Sequence, residues 1–414
     1  MDVKRLQKLQ AELAAFLDEL MPDRLGNSRR RRWAEVYVRG LLLDGARKSI
    51  EPMASRLRAI DRHADDAVDY EQSLQQLINQ SPWDDRCLRD RLARKVVAAA
   101  GVGGALLIDD TGFPKQGAHS VGVARQYSGT LGKVGNCQVA VTLQYATERA
   151  VFCVDAALYL PKEWAADRAR LRAAGVPATV GFQTKWQIAL GLLDRARANG
   201  LSGPVLADSA YGDVTDFREA LEAGHWAYSV GISSTLKVVA ADQDFGEVPP
   251  YQGKGRPPSR PQGVRAGTTS DSVKDWAQAR AATFRKVTWR EGSKGKLSSR
   301  FAAWRVRPAH RLSAGQEPGA ACWLLVEWPG GEAAPTKFFF SNLPATTSLR
   351  QLVRTTKSRW WVEHSYKEMK DELGLDHFEG RGWVGWHHHV SLVMLAYAFV
   401  VLRRRRRKKG APSG

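Results

Sequence analysis

The sequence contains little cysteine and no long hydrophobic run. Its four cysteines lie far apart, with no C-x-x-C pair: Cys87, Cys137, Cys153 and Cys322. This spacing, and the lack of a secretory leader in residues 1–20, favour a cytoplasmic protein with reduced thiols. The longest apolar run, residues 390–402, has thirteen residues, whereas a membrane span needs about 20. We therefore predict a buried helix there and no membrane partner.

Acidic residues are few compared with basic ones. The 414 residues include 62 Lys and Arg but 43 Asp and Glu, which gives a net charge of +19 and a pI near 9.9. A hydrophobic content of 43% is typical of a folded globular protein rather than a disordered one, and the length suggests about two or three structural units. The excess of positive charge favours a polyanionic partner such as nucleic acid.

The positive charge is concentrated in three segments. Residues 29–32 contribute four arginines, residues 403–409 contribute seven basic residues, and residues 251–310 contain fourteen basic residues against three acidic ones. The rest of the chain is therefore slightly acidic. A single charge run is explained equally well by a solvated face or a disordered tail. Three separate runs favour contact with phosphates.

The pattern of apolar residues divides the chain into five parts. Residues 1–96 show helical periodicity, with leucines every three or four residues, and this part is either a DNA-binding or accessory domain or a plain helical bundle. In residues 97–233 short strands alternate with helices. Residues 234–345 are β-rich and include a Gly- and Pro-rich basic loop, residues 346–402 return to helix, and residues 403–414 form a basic tail.

Two short apolar runs end in carboxylates. Residues 105–108 lead to Asp109 and Asp110, and residues 204–207 lead to Asp208. Each run is typical of a buried strand, so we expect these carboxylates at strand ends. A third carboxylate, Glu363, lies in a helix that we predict over residues 349–374.

In one continuous helix, two cations would lie beside Glu363. At 100° per residue, Arg359 and Lys370 would fall within about 40° of Glu363 on one face. Alone, this pattern is explained by surface ion pairs worth a few tenths of a kcal/mol. Combined with two strand-end aspartates, it also fits two-metal phosphoryl transfer, which needs several carboxylates on rigid elements.

Four segments give the sequence a recognisable identity. Residues 107–115, 205–212 and 359–370 contain the three acids, and residues 120–138 form a glycine-rich stretch. Together these segments resemble the DDE transposases of bacterial insertion sequences, in particular the subgroup numbered 701, which is related to that numbered 4. The resemblance implies an α/β fold: an RNase H-like mixed sheet flanked by helices, an N-terminal helical domain, and a β-rich insertion between the second and third catalytic acids. The core would comprise residues 97–233 and 346–402.

The resemblance also implies roles for individual residues. It assigns catalysis and metal binding to Asp109, Asp208 and Glu363, and DNA binding to Arg359, Lys370, Lys367 and Lys115. Asp110 remains an alternative to Asp109 as the first acid. The tyrosine that the family carries three residues before the arginine is replaced here by Thr356.

The implied function is metal-dependent cleavage of transposon ends and strand transfer to target DNA. The implied cofactor is a pair of Mg²⁺ ions, for which Mn²⁺ would substitute, and the implied partners are double-stranded DNA and a second copy of the chain. Some relatives form a DNA hairpin and flip a base onto an aromatic ring. The insertion offers four tryptophans for stacking, which are otherwise core residues of the insertion: Trp289, Trp304, Trp323 and Trp328. The alternatives are an endonuclease without strand transfer and a non-catalytic DNA-binding protein.

Overall fold

The computed structural model describes residues 3–21, 25–60, 68–244, 270–292, 295–310 and 317–409, together with residues 250 and 253. Residues 254–269 of the basic loop and residues 410–414 of the basic tail lie outside the described residues. The helices are α1 (Val3–Leu20), α2 (Ser28–Leu42), α3 (Ile50–Ile60), α4 (Tyr70–Asn79), α5 (Asp85–Ala100), α6 (Lys162–Ala166), α7 (Arg168–Ala173), α8 (Lys185–Ala198), α9 (Ser209–Gly212), α10 (Thr215–Ala223), α11 (Val273–Gln278), α12 (Leu349–Lys357), α13 (Trp361–Lys367) and α14 (Trp383–Lys409).

The strands are β1 (Ala105–Pro114), β2 (Ala124–Ser128), β3 (Lys133–Ala146), β4 (Val151–Leu158), β5 (Val205–Ala207), β6 (Tyr228–Ile232), β7 (Lys237–Ala240), β8 (Asp271–Ser272), β9 (Arg285–Gly292), β10 (Gly295–Pro308), β11 (Cys322–Trp328) and β12 (Lys337–Ser341). They fall into two compact units. The first comprises Met1–Gly203 and Trp360–Gly414, and the second comprises Pro204–Arg359. The five-part division expected from the sequence stays a prediction.

In the first unit, β3 is the central strand of an antiparallel sheet. It pairs with β1 and β4 along its second half and with β2 along its first half. Both faces of the sheet are covered, so β1 begins with a continuous apolar run in which Leu106, Leu107 and Ile108 have no exposed surface. This burial fixes the register of β1 against β3, in which Asp109 pairs with Thr142.

The last helix, α14, is the central packing element of the first unit. It contacts α2, α4, α5 and β4. By length and composition alone, Trp383–Arg406 is long and apolar enough to cross a membrane, but 89% of its most apolar window is buried inside the protein. The prediction of a buried helix in this region is confirmed. The helix also runs on through Lys409, so residues 403–409 of the basic tail continue it.

Three consecutive histidines of α14 are buried and contact different neighbours. Nδ1 of His389 lies 2.8 Å from the Tyr37 hydroxyl. His388 stacks on Trp83, with ring centroids 3.7 Å apart, and Nδ1 of His387 lies 2.9 Å from the Trp383 carbonyl oxygen. Burial lowers the pKa of His387 and of His389 to about 4. These imidazoles are therefore held neutral as packing groups.

The second unit contains a mixed sheet. β5 and β6 are parallel, and the sheet continues in the order β6-β12-β11-β10-β7-β8 through antiparallel pairs, with β9 beside β10. Helix α12 packs on β9 and β10 around one cluster of buried side chains: Val287, Phe301, Leu325, Leu352 and Val353. The mixed sheet with flanking helices, the helical N-terminal part and the β-rich segment between Asp208 and Glu363 are confirmed.

The continuous helix expected over residues 349–374 is wrong. Helix α12 ends at Lys357, a 3₁₀ turn spans Ser358–Trp360, and a π-helical turn spans Glu368–Glu372 after α13. These turns change the rotation per residue. The spacing of about 40° between Arg359, Glu363 and Lys370, which assumes 100° per residue, therefore does not apply, and their common face stays a prediction.

Candidate active site

Asp109 lies in the middle of a strand and not at its end. β1 continues to Pro114 because its pairing with β3 extends over all ten residues, from Ala105 opposite Ala146 to Pro114 opposite Cys137. The sequence missed this extension because glycine and polar residues follow Asp109. The strand pairing holds the backbone of Asp109 rigidly.

Asp109 and Asp110 lie on opposite faces of the sheet, since successive side chains of a strand alternate. Asp110 forms an ion pair with Lys185 at the start of α8, with 2.5 Å between Nζ and Oδ2. On the other face, Asp109 is paired across the strands with Thr142, whose hydroxyl lies 2.5 Å from the Tyr366 hydroxyl of α13. Asp109 is thus the acid that lies on the side of the Glu363 helix.

Two polar side chains of β3 hold α13. The hydroxyl groups of Tyr366 and Thr142 are 2.5 Å apart, and the Ser365 hydroxyl donates to Oε1 of Gln144. Thr142 and Gln144 are two residues apart on the strand, so they face the same way. Both are buried, whereas Glu363 of α13 is exposed. The hydrogen bonds therefore fix the rotation of the helix that presents Glu363.

The sequence alone did not identify Thr142 and Gln144 as residues that position α13. A signal was present, since Thr142 and Gln144 are polar residues at alternate positions of an otherwise apolar strand. A buried polar group needs a hydrogen-bond partner. The pattern therefore predicts a polar partner packed on that face, and Ser365 and Tyr366 supply it.

The three lysines predicted to bind DNA differ in exposure. Nζ of Lys370 lies 3.0 Å from the Gly112 carbonyl oxygen and 2.8 Å from Oγ1 of Thr130, and burial lowers its pKa. Lys115 donates to the Phe378 carbonyl oxygen, and burial lowers its pKa too. Lys367 is exposed. DNA contact by these lysines stays a prediction.

Asp208 follows β5 directly, as expected from the sequence. Its Oδ1 accepts a hydrogen bond of 3.0 Å from the Ala210 backbone N–H, and this bond fixes the side chain. The turn packs closely on β6, because a Cβ at Gly212 would come within 1.9 Å of the Gly231 carbonyl oxygen. Nη2 of Arg359 lies 3.8 Å from Oδ2 of Asp208. The second unit thus pairs one proposed catalytic acid with one proposed DNA-binding cation.

Thr356, which replaces the tyrosine typical of the resembling family, is buried in the second unit. Its Oγ1 lies 2.6 Å from the Ser229 hydroxyl on β6. This contact uses the hydroxyl within the packing between α12 and the sheet. Position 356 therefore supplies no exposed phenol.

The four tryptophans named as stacking candidates are all partly buried. Trp289 and Trp323 pack against the cluster beneath α12. Trp304 and Trp328 each make an edge contact with Phe284, with centroids 5.8 and 5.3 Å apart. Their predicted core role is therefore supported by packing contacts, and base stacking stays a prediction.

Part of the N-terminal basic cluster is used internally. Nη1 of Arg30 donates to the carbonyl oxygens of Leu25 and Pro82, and Arg31 pairs with Asp18. Two of the four arginines of residues 29–32 therefore stabilise the helical domain.

Carboxylates suit a hard divalent cation. Asp109 and Glu363 provide such oxygens in the first unit and Asp208 in the second. In the part of the chain that the structure describes, neither unit by itself gathers three His, Cys, Asp or Glu side chains around a metal position.

The family is shown by comparison with known proteins. Residues 20–296 match the family model described as DDE superfamily endonuclease. This match covers more than half of the 414 residues, so the chain belongs to that family. Endonucleases of this superfamily use divalent metal ions.

A curated relative narrows the comparison. The chain is 34% identical over 172 residues to a probable transposase for insertion sequence element IS701 from Microchaete diplosiphon. The match covers 40% of this chain and 42% of that relative, so less than half of the relative's length is spanned.

A solved structure also aligns with the chain. The piggyBac transposase synaptic complex with hairpin DNA, determined by cryo-EM, matches with a TM-score of 0.38 and 10% identity, over 94% of this chain and 74% of that one. A TM-score this low does not define a shared fold.

Proposed function

We propose that this chain is the transposase of a bacterial insertion sequence. Family membership and the similarity to the IS701 relative support the proposal. The observation that carries it is the docking of α13 on β3 by Tyr366 and Ser365, since β3 also pairs with the strand of Asp109. Two acids of the proposed site are thus mounted on elements that pack against each other.

The proposed reaction has two in-line displacements at phosphorus. Hydrolysis of a phosphodiester at the transposon end frees a 3′ hydroxyl. This hydroxyl then attacks a phosphodiester of the target DNA, bonds to its phosphorus and displaces the 3′ oxygen of the target strand. Asp109, Asp208 and Glu363 are the proposed metal ligands. Arg359, beside Asp208, binds a phosphate of the substrate.

The proposed cofactor is a pair of Mg²⁺ ions, with Mn²⁺ as a substitute. When bound, the ions would activate the attacking oxygen and stabilise the leaving oxygen. The chain's own contribution is to hold the carboxylates on rigid elements. The strand pairing of β1, the anchored α13 and the hydrogen-bonded turn after Asp208 each hold one of these carboxylates.

The proposed partners are double-stranded DNA, as transposon ends and as target, and a second copy of the chain. Lys115, Lys367 and Lys370 are the proposed further DNA contacts. Of these, Lys367 is exposed, so it offers its charge without rearrangement. The proposed location is the bacterial cytoplasm.

The test measures cleavage of a duplex that carries the ends of the insertion sequence. The wild-type protein should nick the duplex with Mg²⁺ or Mn²⁺ and not with EDTA, and should join the freed 3′ end to a second duplex. Asp208→Asn should bind the duplex and fail to cut it. Glu219→Gln, a change at an acid on α10, serves as the matched control and should cut normally.

Each other outcome identifies a different function. Cutting without joining would favour an endonuclease. Binding without cutting by the wild-type protein would favour a non-catalytic DNA-binding protein. Cleavage that persists in Asp208→Asn would refute the assignment of Asp208.

A further inference from the structure

A groove of about 800 Å³ lies within the first unit, lined by residues of α13, α14 and the turn between β3 and β4. Its apolar floor includes Val151, Val401 and Tyr397. Trp361 forms one wall. Arg149, Arg404 and Arg405 line the rim, together with two carboxylates, Glu148 and Glu368. The groove therefore combines a flat aromatic ring with several cations.

Trp361 belongs to a cluster of three aromatic rings that begins at Trp360 and continues on α13. The Trp360 and Trp361 rings are stacked, with centroids 4.2 Å apart, and His364 meets both rings edge-on at 6.0 and 5.7 Å. Both tryptophans are only partly buried. Partly exposed indole faces held rigidly by their neighbours are suited to stacking on planar ligands, because little conformational entropy is lost on binding.

The cations of the rim are not equally neutralised. Arg404 pairs with Glu368, which also lies 3.5 Å from Nδ1 of His364. Arg149 is exposed on the turn between β3 and β4. Nη1 of Arg405 is buried and makes no hydrogen bond to the described residues. Arg405 lines the groove and carries an unsatisfied donor, which makes its guanidinium a suitable partner for an anion.

The groove also lies close to a proposed catalytic acid. Glu363 follows Trp361 by two residues, which is about 3 Å along the helix axis and about 200° around it, and His364 lies between them. A strand that reaches Glu363 would pass His364 before it reaches Trp361.

From these observations the geometry points to a binding site for an unpaired segment of DNA strand in the groove. A base stacks on Trp361, and the adjoining phosphates pair with Arg405 and Arg149. The inference rests on the proposed function, because it identifies the strand as the one that leads to Glu363. An unpaired segment fits better than a duplex, because the faces of bases are accessible to an indole only when the bases are unstacked.

The binding test uses the full chain in EDTA with a 12-nucleotide single strand that contains 2-aminopurine. The wild-type protein should quench the fluorescence of 2-aminopurine by stacking. Trp361→Ala should remove the quench and weaken binding about tenfold, whereas Trp361→Phe should keep much of both. Unchanged quenching and affinity in Trp361→Ala would overturn the inference.

The arginines are tested by the dependence of affinity on salt. Arg405→Gln and Arg149→Gln should each weaken binding and reduce the slope of log K against log salt by about 0.7. Arg406→Gln removes a charge from the same helix without lining the groove, and should leave the slope unchanged. Equal slopes for Arg405→Gln and the wild-type protein would contradict the inference, and thermal melting should confirm that all variants are folded.

The binding and cleavage assays distinguish an error in the groove assignment from an error in the proposed function. Asp109→Asn should abolish cleavage and still quench 2-aminopurine, which supports both assignments. A wild-type protein that cuts, with groove variants that bind the single strand normally, would overturn only the groove. A wild-type protein that binds the single strand but cuts no duplex would overturn the proposed function and leave the groove in place.

Discussion

Arg359 and Asp208 face each other in the second unit, with 3.8 Å between Nη2 and Oδ2. Their side chains keep 24% and 41% of their exposure. An ion pair this exposed stabilises a protein by about 0–1 kcal/mol. The pair therefore contributes more to the electrostatics of the proposed site than to stability.

Because the ion pair contributes little to stability, replacing Arg359 should affect cleavage much more than the free energy of unfolding. Arg359→Ala should lower cleavage by about 10²-fold or more, because a charge that contacts the reacting phosphate is lost, while the free energy of unfolding changes by less than about 1 kcal/mol. Arg359→Lys should recover part of the activity. Arg354→Ala, at an exposed arginine on α12, is the control and should cut normally. A large loss of stability in Arg359→Ala would assign the residue a structural role.

The contact between Tyr366 and Thr142 should be measurable as a coupling energy. Tyr366→Phe removes one partner of a partly buried hydrogen bond and should destabilise the protein by about 1 kcal/mol. Cleavage should fall as well, because α13 loses one of the two contacts that orient Glu363. In a cycle with Thr142→Val, urea unfolding of the single and double variants gives the coupling. Strictly additive effects would show that the two hydroxyls do not interact.

The two neighbouring aspartates of β1 should differ sharply in their contribution to cleavage. Asp109→Asn should reduce metal-dependent cleavage by more than about 100-fold, because Asp109 is a proposed metal ligand. Loss of a residue that only supports a metal ligand lowers activity by about 10–100-fold, and loss of the ligand itself should lower it further. Asp110→Asn leaves Lys185 without its partner and should mainly lower stability. The two variants are matched in size and charge. If Asp110→Asn proved the inactive one, the assignment of the first acid would be reversed.

The buried histidines should make stability depend on pH. In the folded protein, burial lowers the pKa of His387 and of His389 to about 4, whereas a histidine in the unfolded chain has a pKa of 6.5. The unfolded chain therefore binds more protons between these values. Stability is complete above about pH 6.5 and falls as the pH drops toward 4, by about 1–3 kcal/mol for each histidine.

Unfolding by urea at pH 7.5, 6.0 and 5.0 tests this expectation. His387→Gln should be less stable than the wild-type protein at pH 7.5 but should lose less stability on acidification. His119→Gln, at an exposed histidine, should keep the wild-type dependence. Identical pH profiles for His387→Gln and the wild-type protein would exclude His387 as a source of the dependence.

Continuous apolar runs in the sequence predicted the elements that are buried on all sides. The strand before Asp208 and the buried helix over residues 390–402 follow directly from apolar runs. The extension of β1 beyond Asp109 did not follow, because pairing with β3 overrides the low strand propensity of Gly112 and its neighbours.

The sequence predicted which residues belong to the candidate site, but it did not predict how they are arranged in space. The sequence identified Asp208 and Arg359 separately, whereas their proximity depends on how α12 and the turn after β5 pack in the second unit. The breaks around residues 358–360 and 368–372 were also invisible, because helical periodicity continues through them. Tertiary contacts, such as those of Ser365 and Tyr366 with β3, determine where α13 lies.

The burial of α14 among the N-terminal helices has a consequence for how the chain folds. Tyr37 and His389 are in contact although 352 positions separate them in the sequence. Contacts over such separations slow folding, because the loop they close costs entropy before the contact forms. During synthesis, α2, α4 and α5 are made long before their central partner. The apolar surfaces of these helices that α14 covers therefore lack that partner until the end of translation.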